Sequence, residues 1–292
     1  MAKIQFIKKQ IELIKQIEHV TRTMKTISAV RWRMGKKTLK DARNFSDQLL
    51  RLNEIAHLHS HNQLITPHPS KGFAIIGIFS DKGLVGGFNS VLASKMKTFI
   101  ETQEHEGNKS HLIILGTQGI RHFKKGPYEI LMTHPLPVHQ VPRYQDVRDI
   151  LYTIQSFHYQ KLFSHLYIAH NRYYSVSEYR PIIQRVIPIP IQSVNLPRES
   201  QEDFRFQIEV LSPISTLIER LTFEYVASQL YAFLTESFLS EQTTRLTIMD
   251  AATNHSEDMI HSLRIVFQKR RQEKITQELN EVTNASQVLG TI

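Results

Sequence analysis

Cysteine is missing from the whole of this 292-residue sequence, which removes disulfides, thiol catalysis and thiolate metal sites together. That agrees with a reducing compartment. No uncharged apolar run reaches the ~18 to 20 residues of a membrane-spanning helix, so no direct span is expected. The first residues, Met-Ala-Lys-Ile-Gln-Phe, lack the apolar stretch and small-residue cleavage site of a signal peptide. The expectation is a protein that stays on the cytoplasmic side. Proline is absent after Pro213, and residues 1–34 contain neither glycine nor proline, so long helices meet no breaker near either end.

Acidic residues are scarce in one place. Residues 1–40 hold eleven Lys or Arg against Glu12 and Glu18, and this segment carries the whole net charge of +9. The remaining chain is neutral. A basic stretch of this kind suits nucleic acid, anionic lipid or an acidic protein surface, or is simply a solvated helix face.

The same segment is periodic. Ile4, Ile7, Ile11 and Ile14 are spaced by 3 and 4, and Ile17, Val20, Met24 and Ile27 repeat that spacing. This predicts a long helix, running to about Ala56, with a narrow apolar seam for a partner helix. The short step from Ile14 to Ile17 predicts a locally overwound supercoil. Thr66-Pro67-His68-Pro69-Ser70-Lys71-Gly72 then ends the helix.

Short apolar runs alternating with helical stretches follow. Strands are expected at 73–79, 111–115, 165–169 and 182–189, with a weaker one at 128–132. Helices are expected at 91–103, 119–124 and 145–162. Such alternation indicates an α/β domain around a largely parallel sheet. Residues 195–203 read as a linker, and helical spacing returns from about Phe206 to the end. A helix of roughly 75 residues would extend on the order of 110 Å, too long for one globular domain to bury. The expected fold class is therefore α/β: an antiparallel coiled coil of the N- and C-terminal helices with an inserted Rossmann-like α/β domain. The corresponding segments are 1–66, 72–195 and 205–292.

Residues 79–90, Phe-Ser-Asp-Lys-Gly-Leu-Val-Gly-Gly-Phe-Asn-Ser, follow a predicted strand and open a helix, where a phosphate-binding loop would sit. The spacing is wrong for either phosphate-binding pattern: Gly83, Gly86 and Gly87 form neither Gly-x-Gly-x-x-Gly nor Gly-x-x-x-x-Gly-Lys-Ser/Thr. These glycines then serve positive φ or close backbone approach. His57, His59, His61 and His68 have no carboxylate at ligand-like spacing, so a polar helix end is expected rather than a metal site. No serine, histidine and acid set and no paired carboxylates signal catalysis. Lys269-Arg270-Arg271 is followed on its helix by Glu273, Glu278 and Glu281, which argues against a nucleic-acid stripe.

Three segments resemble, in order, the gamma subunit family of rotary F-type ATP synthases. Residues 20–25, Val-Thr-Arg-Thr-Met-Lys, and 28–33, Ser-Ala-Val-Arg-Trp-Arg, are similar to that family's N-terminal helix. The loop at 80–89 resembles its Ser-Asp-Arg-Gly-Leu-Cys-Gly-Gly-Phe-Asn, with Lys82 for Arg and Val85 for Cys. Most specific are Ser240-Glu241-Gln242, Arg245, Met249-Asp250-Ala251-Ala252-Thr253-Asn254 and 271–279 in the C-terminal helix. Departures are Thr26 for a Met, Val210 for a Pro and Asn284-Ala285-Ser286 for a small Gly-Ala, as suits a divergent or second-copy synthase.

The resemblance implies a non-catalytic central stalk that couples ion flow through a membrane sector to ATP synthesis or hydrolysis. It implies no cofactor or metal and no nucleic acid. Its partners would be three alpha and three beta subunits, an epsilon subunit and a membrane ring of c subunits, at the cytoplasmic face of a bacterial inner membrane. Met24, Lys25, Arg31, Arg33, Arg245, Gln272, Thr276, Glu278 and Glu281 would be the coupling contacts, and Ser80, Asp81, Gly83, Gly86, Gly87 and Asn89 a foot loop. Outside that family, a coiled-coil scaffold would explain the ends of the chain and a nucleotide-dependent α/β enzyme its middle.

Overall fold

The computed structural model describes residues 2–58, 72–136, 140–189 and 214–289. The proline-rich run at 66–71, the linker at 195–203, Val210 and the histidines His59, His61 and His68 lie outside the described residues. The elements in order are α1 (Ala2–Leu58), β1 (Gly72–Ile78), α2 (Phe88–His105), β2 (Lys109–Leu115) and α3 (Thr117–Phe123). There follow β3 (Ile130–His134), α4 (Tyr144–Tyr159), β4 (His165–Tyr173), β5 (Tyr179–Ile187) and α5 (Ile214–Leu289). The fold is mixed α/β. Two compact units are present, Met1–Ser28 with Arg245–Ile292, and Ala29–Thr244, so each long helix contributes to both.

In the larger unit the strands form one sheet in the order β3-β2-β1-β4-β5. The first three pairings are parallel, and β4 with β5 is an antiparallel hairpin. Every residue of the central strand β1 is buried, as its unbroken apolar run Phe73-Ala-Ile-Ile-Gly-Ile requires when helices cover both faces. One face packs Phe73, Ile75, Leu112 and Ile114 against Leu92, Met96 and Ile100 of α2. The other packs Ala74, Ile76, Ile113 and Ile168 against Val147, Ile150 and Ile154 of α4, Leu49 of α1, and Val226, Leu230 and Leu234 of α5. The two long helices are thus one layer of a three-layer sandwich here.

Within each unit the long helices run antiparallel. In the larger one, Asn53 donates from Nδ2 to the Leu221 carbonyl at 3.1 Å, Ser228 Oγ to Ser46 Oγ at 3.2 Å, and Arg43 reaches Glu236. In the smaller one, Thr21 meets Thr253, Lys25 meets Asp250 at 2.5 Å, and Arg22 meets Glu257. Rising numbers on α1 match falling numbers on α5.

The apolar pattern misassigns part of the seam. After Ile14, α1 turns inward Glu18, Thr21 and Ser28 rather than Ile17, Val20 and Ile27. Thr21 and Ser28 are buried, and the three apolar residues are 46%, 54% and 42% exposed. The seam keeps a strict heptad step at Ile14, so the overwinding expected there is not needed. Small hydroxyl side chains let the helices come close and satisfy themselves on backbone carbonyls, as Thr21 does on Glu18 at 3.0 Å.

Candidate functional site

The order in which strands are added reverses at β1: β2 and β3 lie to one side, β4 to the other. In an open α/β sheet such a switch point, beyond the carboxyl ends of the strands, is where ligands usually bind. The loop between β1 and α2 occupies it, and its own side chains fill the space. Asn89 accepts from the Ser80 backbone N–H at 3.0 Å and donates to Ser80 Oγ at 2.8 Å. Asp81 accepts from the Thr117 N–H at 2.7 Å, while its carbonyl accepts from Thr117 Oγ1 and Gln118 Nε2. These bonds lock the loop to the start of α3. The Asp81 carboxylate is thus spent on the start of α3, and exposed Lys82 stands next to it in the chain.

Two glycines in this region have conformational reasons. Gly86 has φ +52°, and Gly116 has φ +95°, where an added Cβ would sit 2.1 Å from the Phe79 carbonyl oxygen. Gly87 is different. Its φ is −78°, and a Cβ there would meet Val91 at an ordinary 3.6 Å. Leu84, in the same loop, takes φ +63° and is exposed.

A second polar cluster was not anticipated from the sequence. Glu236 of α5, 4% exposed, accepts from Arg43 Nη2 of α1 and from the Tyr173 N–H of β4 at 3.1 Å. Its other oxygen stands 3.4 Å from His170 Nε2, and neither His170 ring nitrogen has a well-formed hydrogen bond. His170 is fully buried and stacks on Phe233 at 4.4 Å between ring centres. Burial holds its pKa below the ordinary value. For Glu236 burial pushes upward, but His170 and Arg43 outweigh it, and the carboxyl lies below its usual range. The signal in the sequence was a lone carboxylate inside the apolar run Ala232-Phe-Leu-Thr-Glu-Ser-Phe-Leu.

The shaft residues named from the resemblance fall into two groups. Met24, Lys25 and Arg31 lie on α1 and Arg245, which is buried, on α5, all in the zone where the two helices are packed within their units. Arg33, Gln272, Thr276, Glu278 and Glu281 are exposed. Glu278 pairs with Lys274 at 3.0 Å and Glu281 accepts from Gln277 at 2.9 Å, both along one helix. Ser80 and Asn89 are buried, whereas Gly83, Gly86 and Gly87 are exposed. Among the described residues no three histidines or acids gather as a metal site would require, and no helix is long and apolar enough to cross a membrane.

Comparison with known proteins agrees with this architecture. The family model described as ATP synthase matches residues 3–289. The ATP synthase gamma chain of Aquifex aeolicus is 27% identical over 288 residues, covering 97% of this chain and 96% of the relative. That of Acetivibrio thermocellus is 28% identical over 301 residues, covering 99% and 100%. A chain of the Tetrahymena thermophila mitochondrial ATP synthase central stalk and c-ring superposes with a TM-score of 0.58 at 19% identity, over 80% of this chain and 99% of that one. A chain of the Euglena gracilis mitochondrial ATP synthase OSCP/F1/c-ring structure gives 0.66 at 14% identity, over 99% and 95%. This chain belongs to the ATP synthase family, and its curated relatives there are gamma chains.

Proposed function

We propose that the chain is the central rotor of a rotary ATP synthase, a shaft without catalytic residues of its own that couples ion flow to ATP synthesis or hydrolysis. The observation that carries this reading is a second apolar stripe on α1. Phe6, Leu13, Ile17, Val20 and Ile27 all belong to the smaller unit and all are exposed, although the seam toward α5 is already filled by other residues. α5 adds Ile265, Ile275, Leu279 and Val282 to the exposed apolar surface. Two paired helices that still expose this much apolar surface call for a surrounding partner. Apolar contact is short-ranged and non-directional, which suits a surface that turns inside a sleeve.

The partners that fit are three alpha and three beta subunits around the helix pair, with an epsilon subunit and a ring of c subunits at the sheet domain. The site would be the cytoplasmic face of a bacterial inner membrane. The basic charge of α1 then faces acidic protein rather than nucleic acid. A single asymmetric shaft presents different surfaces to three beta subunits, and each catalytic site is held in a different state. Only contacts that differ in energy between those states drive their exchange. Met24, Lys25, Arg31, Arg33, Gln272, Thr276, Glu278 and Glu281 are the proposed angle-dependent contacts, and Arg245, buried in this chain, would act on coupling by positioning its neighbours. The reading is tested by co-expressing the chain with its alpha and beta subunits and weighing the complex. One copy per six-membered ring, with raised ATPase activity, supports it; three copies per ring, or no complex, contradicts it.

A further inference from the structure

Residues 170–173 at the end of β4 are a node at which four elements of the larger unit meet. Glu236 of α5 and Arg43 of α1 join there through the Glu236 carboxylate, which also takes the Tyr173 N–H. Trp32 of α1 donates from its ring nitrogen to the Tyr173 hydroxyl at 3.4 Å. Ser240 of α5 donates to the Asn171 carbonyl at 3.0 Å, and Asn171 Nδ2 donates to the Phe88 carbonyl, at the start of α2, at 3.1 Å. Arg172 adds its guanidinium 4.0 Å from the Glu236 carboxylate.

A buried carboxylate is an expensive way to obtain stability, because apolar side chains of the same volume do as well or better. What ionic hydrogen bonds add is direction. They fix distance and angle between the groups they join, whereas apolar surfaces slide over one another with little change in energy. We propose that Glu236 is a torque joint, the side chain that fixes the register of both long helices against the sheet so that twist applied to one is delivered to the other. It is a positioning residue, and the proposal rests on the rotary reading above. Its location suits such a joint, because it links α1 and α5 to β4, next to the central strand β1, within a single compact unit.

The test uses the whole synthase in membrane vesicles, with two variants, Glu236→Gln and Arg43→Gln. Glutamine keeps the shape and the bond to the Tyr173 N–H but removes the charge that binds Arg43. Arg43→Gln leaves Glu236 in place and carries the test should Glu236→Gln not assemble. ATP hydrolysis by the soluble complex, where the shaft turns unloaded, stays within about twofold of wild type. Ions pumped per ATP against an opposing gradient fall about threefold, because a loosened joint slips only under load. Glu236→Asp restores part of the loss. The joint is overturned by a pumping ratio under load unchanged in both variants, or by soluble hydrolysis that falls in step with pumping. A wild-type complex that hydrolyses ATP and pumps nothing overturns the rotary reading and the joint together.

Discussion

Thr253 Oγ1 lies 2.9 Å from Thr21 Oγ1 across the antiparallel seam, with both side chains buried. Thr21 gives its proton to the Glu18 carbonyl and accepts at Oγ1, while the single proton of Thr253 is shared between Thr21 Oγ1 and the Met249 carbonyl 2.7 Å away. The contact therefore leaves neither hydroxyl orphaned.

Replacing either threonine with valine keeps the volume and removes one hydroxyl, at a cost of about 1 kcal/mol. The pair Thr21→Val with Thr253→Val is expected to cost clearly less than the two single changes together, since the second has no partner left to lose. Chemical denaturation of the four chains measures this. Strict additivity would show that the two hydroxyls do not interact.

The seam also shows where sequence reading stops. Alternating apolar runs gave the five strands, and the missing prolines gave the two long helices, because burial on both sheet faces and an intact hydrogen-bond ladder leave direct marks on composition. The side of α1 that faces α5 did not follow from hydrophobicity. Ile17, Val20 and Ile27 are apolar because they form a second surface, while Thr21 and Ser28 are buried because they are small. Glu236 was equally hidden: its partners Arg43 and Tyr173 lie far away in the chain and come near only through the fold. By contrast the loop at 80–89 was legible as a turn at the end of a strand. That Asn89 and Asp81 plug it required the geometry.

The glycines of that loop are expected to behave unequally. Gly86→Ala forces a side chain into φ +52° and costs roughly 1 kcal/mol. Gly87→Ala has an ordinary φ and brings its Cβ only to ordinary van der Waals contact with Val91, so its effect stays within about 0.5 kcal/mol. Thermal unfolding of the two variants compares them. Equal losses would mean that the loop adopts another conformation.

Lowering the pH tests the buried histidine. The folded-state pKa of His170 is below 6.5, so as pH falls past 6.5 the unfolded chain takes up a proton that the folded one resists. Stability is thus full above about 6.5 and declines toward pH 5. Glu236, also lowered, adds its loss only near and below 4.5. The groups facing His170 are Glu236, Arg43, Arg172 and the Phe233 ring. His170→Gln should make the decline between about pH 7 and 5 shallower without removing it, since burial also lowers His111, His122 and His165; an unaltered slope would place its origin in those three.

Neutralising Lys8, Lys9, Lys36 and Lys37 should leave helix content unchanged, since exposed charges contribute little to folding. Docking to an acidic sleeve should become slower and less sensitive to salt. Stopped-flow association with the alpha and beta subunits at several ionic strengths reads both effects. A salt dependence identical to wild type would return these lysines to the role of a solvated face.

The absence of cysteine gives the central claim a direct test, because a single introduced thiol is a unique handle. Gly83 is exposed, and a Cβ placed there meets nothing within 4 Å, so Gly83→Cys carries a bead without disturbing the loop. With the alpha and beta ring fixed to a surface, ATP should turn the bead in one direction, pausing three times per revolution. A bead that only fluctuates, on a complex that hydrolyses ATP at the full rate, would contradict the account.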